Sequence, residues 1–409
     1  TEEANTDECL EVNLPDDGLD LASKLEANQA AQGVELYLDE EMPPEIILDA
    51  CRQMGQKLQK LKTLIVQSAD DPGPVVKPLG ELLKHRTNTM ERLELWGPDV
   101  VTGTKQDSEF FFQQLGALPK LKEFSASQPY EWEITDQEEM DAEKTRLWVT
   151  EQLLLALSKM DALHYLSLNM FQVTRNKSTE AALLELCRSK QGRPDLRLAL
   201  YECELSSSFM DQVCSDTSSR VTNLSLTGIS NINDTEPELS KSLQTNRRLK
   251  SLVVRRMPGS TFTSSDLSDR TAAALVESLK GNTTLQNLEI SIRCDKDSPD
   301  TKRFMKAVHE LYHLQTLTVQ LNAKSYEHVL VGIGSLVEGI ENNNTKALAK
   351  LQIKARINKE EGEQIIAPPD EAIRKGHEEY FQKKFLVALK QNTSLKEISL
   401  EGVLTQRVT

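Results

Sequence analysis

The chain has 409 residues, is only 5% aromatic, and carries 48 Lys and Arg against 63 Asp and Glu, a formal charge of −15. That balance argues against non-specific binding to nucleic acid or to anionic membranes, because the long-range field repels both. No stretch approaches the roughly 18 apolar residues of a membrane-spanning helix, and no signal peptide is visible.

The first ten residues are acidic, and residues 16–25 read as a helix whose acidic start suits the helix dipole. Residues 1–32 are therefore expected to form an acidic tail and a capping helix. Beyond them one phrase, Leu-x-x-Leu-x-Leu or a close variant, keeps returning. Its fourth position falls at Leu36, Leu64, Leu93, Phe124, Leu166, Leu198, Leu224, Leu252, Leu288, Leu317, Leu351 and Ile398. The clearest copies are Asn282-Thr-Thr-Leu285-Gln-Asn-Leu288-Glu-Ile290 and Asn392-Thr-Ser-Leu395-Lys-Glu-Ile398-Ser-Leu400, with Asn246-Arg-Arg-Leu249-Lys-Ser-Leu252 a looser one. Several steps are 28 or 29 residues long, while Phe124 to Leu166 takes 42 and Leu351 to Ile398 takes 47. Helical periodicity fills the gaps. Residues 43–61 open with two prolines and put Ile46, Ile47, Ala50, Met54 and Leu58 on one face; residues 272–281 end on Gly281. Long helices expected over 140–160 and 371–391 account for the two stretched steps.

Self-similarity at this period is the signature of a solenoid, in which each unit buries its apolar stripe only against its neighbours. The phrase resembles that of leucine-rich repeats, and the spacing resembles their ribonuclease-inhibitor-like class. The resemblance implies an α/β horseshoe of about twelve repeats over residues 33–409, with a parallel sheet on the concave face, helices on the convex face and a minimal C-terminal cap. That class places Asn or Cys shortly after the last Leu to bond backbone in the turn. Cys203 fits, but Trp96-Gly97 and Thr227-Gly228 do not, so irregular turns are expected. Since the chain stops nine residues after Leu400, an exposed strand edge is expected near 395–400, covered by Val403 and Leu404, by further residues or by a partner.

Six cysteines without a Cys-x-x-Cys pair suggest reduced structural thiols and a cytoplasmic setting. Thr1 leaves a removed targeting segment open. Asn282 and Asn392 begin Asn-x-Ser/Thr sequons, but both belong to the repeat phrase, which speaks against glycosylation. His309-Glu310-Leu-Tyr-His313 matches a zinc-hydrolase motif. His313, however, occupies the slot of Thr284 and Ser394 at the helix-to-strand corner, beyond the helix such a motif requires. No phosphate-binding or nucleophile-elbow motif occurs, and no cofactor or metal is implied.

In the strand phrase the Leu side chains enter the core and the x positions face outward. The charged ones are balanced, with Lys62, Arg92, Lys122, Arg197, Lys250, Lys350 and Lys396 against Glu91, Glu94, Glu123, Glu289 and Glu397. Two patches stand out. Trp96, Tyr165 and Tyr201, with Phe171 nearby, form an aromatic group, either an interface hot spot or a lid over the turns; residues 129–134 add two more aromatics. Arg255, Arg256, Arg293, Lys354 and Arg356 follow their strands and form a basic rim, either suited to an acidic or phosphorylated segment or paired with local acids such as Asp295 and Glu360. The expected function is a non-enzymatic scaffold or adaptor that binds a protein through the concave face and this rim. The alternatives are a structural subunit of a larger assembly, a small-GTPase regulator and, last, a zinc hydrolase.

Overall fold

Apolar residues at every second position build strands with one buried face, and the recurring phrase does this throughout the protein. The structure, a computed structural model, describes residues 9–14, 16, 20–39, 42–68, 75–97, 103–128, 136–171, 173–214, 219–229, 231–255, 268–294, 299–308, 310–311, 313–323, 332–334, 347–357, 379, 383, 387, 390, 395–401 and 407–408. It divides into two units, residues 1–204 and 205–409. Each is a parallel sheet whose strands alternate with helices, apart from one antiparallel strand at the end of the second.

The first unit holds strands β1 (Leu10–Leu14), β2 (Gly33–Leu38), β3 (Thr63–Ser68), β4 (Arg92–Trp96), β5 (Glu123–Ser127), β6 (Tyr165–Asn169) and β7 (Leu196–Tyr201). Its helices are α1 (Leu21–Ala27), α2 (Pro44–Lys57), α3 (Val76–Arg86), α4 (Lys105–Leu115), α5 (Asp136–Leu157) and α6 (Lys177–Cys187), each packed on the next. The second unit holds β8 (Val221–Thr227), β9 (Ser251–Arg255), β10 (Asn287–Cys294), β11 (Thr316–Ala323), β12 (Lys350–Ile357), β13 (Glu397–Glu401) and β14 (Arg407–Val408). Its helices are α7 (Ser207–Cys214), α8 (Ile232–Thr245), α9 (Asp269–Ser278) and α10 (Pro299–Val308). The expected helix over 371–391 lies outside the described residues apart from single positions. Among the described residues no helix is long and apolar enough to cross a membrane.

Every fourth-position residue of the phrase is at most 2% exposed, so the repeat is a burial pattern and not only a sequence pattern. In the first unit Leu64, Leu93, Phe124, Leu166 and Leu198 stand in register across β3 to β7. In the second, Leu224, Leu252, Leu288, Leu317, Leu351 and Ile398 do so across β8 to β13. Leu36 does not join its row: Leu64 faces Val34, and Leu36 faces Val66. A shift of two residues keeps every side chain on its own face, so alternation alone cannot distinguish Val34 from Leu36. The sheet also starts earlier than the phrase, because β1 pairs with β2 through Leu10, Val12 and Leu14.

The anticipated open edge at 395–400 is corrected by β14, which pairs antiparallel with β13 through Ile398–Val408 and Ser399–Arg407. On α2 the inward face is Ile47, Ala50, Cys51 and Met54; Ile46, expected there, is 37% exposed, because spacing of three and four from Ile47 selects Cys51. The turns are less irregular than anticipated. The residue directly after the strand takes positive φ at Gly97 and Met170 and Glu202 in the first unit, and at Gly228 in the second. The backbone handedness recurs while the residue type varies. Cys203 does bond the turn, its thiol lying 3.2 Å from the Tyr201 carbonyl.

Asparagine explains the start of the phrase. The Asn282 amide donates to the Leu243 and Asn246 carbonyls at 3.1 Å each, and its Oδ1 accepts from the N–H groups of Thr284 and Leu285 at 2.9 Å each. Asn246 does the same one repeat earlier, donating to the Cys214 carbonyl at 2.7 Å. One buried amide thus closes the helix-to-strand corner and ties it to the preceding repeat. Its nitrogen is engaged and its side chain covered, so Asn282 is no acceptor for a glycan in the folded protein.

Replacing Asn282 by Ala strands several buried backbone groups and is expected to lower stability by about 2 kcal/mol, whereas Asn287→Ala on the exposed face is expected to be near neutral. Urea unfolding followed by circular dichroism distinguishes them. At Gly97, with φ of 122°, a Cβ would lie 2.4 Å from the Ser68 carbonyl oxygen; at Gly281 it would meet nothing within 4 Å. Gly97→Ala is therefore expected to cost at least about 2 kcal/mol and Gly281→Ala almost nothing in the same assay.

Candidate functional site

On the first unit the outward residues of β4 to β7 form a grid of three rows. Arg92, Glu123, Tyr165 and Arg197 are register partners in the first row, and Glu94, Ser125, Ser167 and Ala199 in the second. Ser127, Asn169 and Tyr201 make the third, with Trp96 one step beyond the Leu95–Ala126 pair. The middle row is small beyond Glu94: Ser125, Ser167 and Ala199 are buried at 3%, 1% and 4% exposure. Of this row Ser125 gives the low floor of a depression of about 320 Å3 lined by Arg92, Glu94, Trp96, Glu123, Ser125, His164, Tyr165 and Arg197.

Internal bonds hold one wall in place. Arg92 Nη2 lies 2.6 Å from Glu94 Oε1, and Trp96 Nε1 donates to Glu94 Oε2 at 2.8 Å. Glu94 therefore orients an arginine and an indole at once. Glu123 sits between Arg92 Nε at 3.6 Å and His164 Nε2 at 3.7 Å. Arg197 is exposed and has no ion pair among the described residues. Asn169 Oδ1 is buried without a hydrogen-bond partner among the described residues. Burial pushes the Tyr165 phenol above its ordinary value, a hydrogen bond with Ser167 opposes this, and the nearby Tyr201, Glu94 and Glu123 push it further up.

The structure brings Trp96 and Tyr165 into this depression, and Tyr201 into the row beside Asn169. Trp96 and Tyr201 are the last residues of β4 and β7. Phe171 is 1% exposed and belongs to the core. Residues 129–134 lie outside the described residues, as does Arg256. Arg255 ends β9, while Arg293 and Arg356 fall within β10 and β12 and Lys354 within β12. These last three were expected after shorter strands; β10 and β12 run to eight residues because the alternation continues past the phrase. Among the described residues Arg255 and Lys354 pair with Glu289; Asp295 and Glu360 lie outside the described residues.

Arg92, Glu123, His164 and Arg197 were legible as outward positions, but nothing along the chain marked them as neighbours around one floor. The signal, visible only once strands are aligned, is the run of small residues between the last two core positions of successive phrases. In the zinc-like motif α10 stops at Val308, Glu310 pairs with Lys280 Nζ at 2.7 Å, and His313 is exposed; His309 lies outside the described residues. Among the described residues no three His, Cys, Asp or Glu side chains are grouped to hold a metal. Compared with known proteins, the chain matches no family model and no curated sequence.

Tyr165 offers a check on the depression's polarity. Its raised value means the folded protein keeps the phenolic proton at pH values where the unfolded chain, near about 10, loses it. The stability from Tyr165 is fully present below that pH and is lost as pH rises through the folded value. Absorbance titration of wild type against Tyr165→Phe is expected to assign a late-ionising phenol to this residue.

Proposed function

We propose that the chain is a leucine-rich-repeat protein of the ribonuclease-inhibitor-like class and works as a non-enzymatic scaffold that grips a protein partner across its strand face. The observation that carries this reading is the depression on β4 to β7. It combines Trp, Tyr and Arg, the residue types that dominate interface hot spots, around a floor low enough to admit a partner's side chain. Arg92 and Trp96 are already held by Glu94, so docking immobilises little that is free. Arg197 and the Asn169 Oδ1 acceptor supply unused polar groups for orientation.

A reducing, intracellular setting belongs to the same proposal. Cys51, Cys187, Cys203 and Cys214 are buried and in no disulfide among the described residues, and burial pushes the Cys51 and Cys203 thiols up to about 12. Such thiols are protonated and unreactive at neutral pH, which suits packing and not disulfide exchange.

Affinity capture from the native source tests the docking reading. A stoichiometric protein is expected on the wild-type chain and lost, by about tenfold or more, on a Trp96→Ala, Tyr165→Ala variant that melts at the wild-type temperature. Equal capture by both chains removes the depression as the docking site, and capture of nothing removes the scaffold reading.

A further inference from the structure

The second unit carries a cation cluster over a polar floor. Arg255 Nη1 and Lys354 Nζ approach the same atom, Glu289 Oε1, at 3.2 and 3.9 Å, although β9 and β12 are not neighbouring strands. The two cations therefore converge above β10 and β11. Their side chains are 34% and 31% exposed and that of Glu289 is 20% exposed, so the three charges are partly desolvated. Register sets Arg293 and Arg356 in one row on either side of Asn322. Glu401 registers beside Lys354, and Lys350 is matched by Glu397 at 3.2 Å. Arg255 and Lys354 thus share the one carboxylate of Glu289, and among these described side chains one positive charge is left over.

The floor between them is unlike the apolar core on the other face. Ser291, Gln320 and Asn322 are 2%, 4% and 3% exposed. Ser291 Oγ is buried with no hydrogen-bond partner among the described residues. Gln320 Nε2 donates to Asn322 Oδ1 at 3.1 Å, which leaves the Asn322 amide N–H groups without an acceptor among the described residues. An orphaned buried hydroxyl calls for a ligand, water or ion, since leaving it unmet is costly. A hydroxyl, an amide and two converging cations, with positive charge in excess, match a compact dianion with several acceptor oxygens. A long polyanion is a poor fit, because the whole chain carries −15 and repels it at distance.

We propose that this face binds a phosphorylated segment of a protein partner, its phosphate seated over Ser291 and Asn322 between Arg255 and Lys354. The choice of a protein as the source rests on the docking function proposed above. Glu289 then serves as the resident counter-ion that holds both cations in place until the phosphate arrives.

The test uses the full chain, immobilised, and short peptides with randomised flanks around a fixed phosphoserine or phosphothreonine. The same peptides without phosphate are the reference. Wild type is expected to retain the phosphorylated set about tenfold better. The Arg255→Gln, Lys354→Gln variant is expected to lose that preference, and Glu289→Gln to strengthen it severalfold by removing the counter-ion. Equal retention of both sets, or a preference that survives the double variant, overturns the proposal. So does stronger binding to phosphatidylserine vesicles or single-stranded RNA with the same residue dependence. Should the double variant unfold, Glu289→Gln decides: a gain supports the site and an unchanged preference removes it. Loss of phosphate selection with capture still dependent on Trp96 sinks this inference alone, whereas the reverse pattern sinks the depression on the first unit.

Discussion

A carbonyl at the foot of one strand accepts two N–H groups from the next, and every later feature depends on the register this sets. Lys62 O takes the Glu91 and Arg92 N–H groups at 2.7 and 2.9 Å; Gln286 O takes those of Gln315 and Thr316 at 2.8 and 3.0 Å. A slip of one residue would exchange Leu93 and Leu95 with Arg92 and Glu94, placing charges in the core. The forks fix the alignment, the leucine rows make it favourable, and the buried asparagines at 246 and 282 hold the corners from which the next strand starts. None of these works alone, because a single strand–helix unit cannot cover its own apolar stripe.

The strands were legible because burial demands apolar residues at one spacing, and few alternatives satisfy that demand twelve times. The misassigned row at Leu36 has the same origin: Val34, Leu36 and Leu38 all obey the alternation, and only pairing with β3 chooses among them. The turns show the converse. Gly97 and Gly228 advertise a left-handed residue, but Met170 and Glu202 adopt it too. The cost to a non-glycine residue is about 1 kcal/mol, small enough for surrounding contacts to absorb, so residue type does not reveal the shared turn.

The candidate sites were legible only in part, since a site is a set of cross-strand neighbours. Trp96 and Tyr165 announce themselves as large outward aromatics. The depression beside them has its low floor because Ser125, in the next repeat, is small where its register partner Glu94 is large. Smallness carries no meaning until strands are aligned. Likewise the orphaned Ser291 hydroxyl reads as one more polar residue in a strand, and becomes informative only when Gln320 and Asn322 cover the adjacent floor.

Ion pairs on the outward face join neighbouring strands: Lys122 with Glu91 at 2.6 Å, Arg255 with Glu289 at 3.2 Å, Lys350 with Glu397 at 3.2 Å. The Lys122 ammonium holds the Glu91 carboxyl below its ordinary value. Pairs this exposed contribute at most about 1 kcal/mol each, little beside a core of buried leucines. Their larger effect is on order. A lysine or arginine already tied to a neighbour has given up much of its rotamer freedom before anything docks. The division of labour follows from the alternation itself: one set of positions is committed to burial, and the other is free to carry paired, pre-ordered charge without endangering the fold. That freedom is why two different polar surfaces, one aromatic and one cationic, can be built on the same repeating strand.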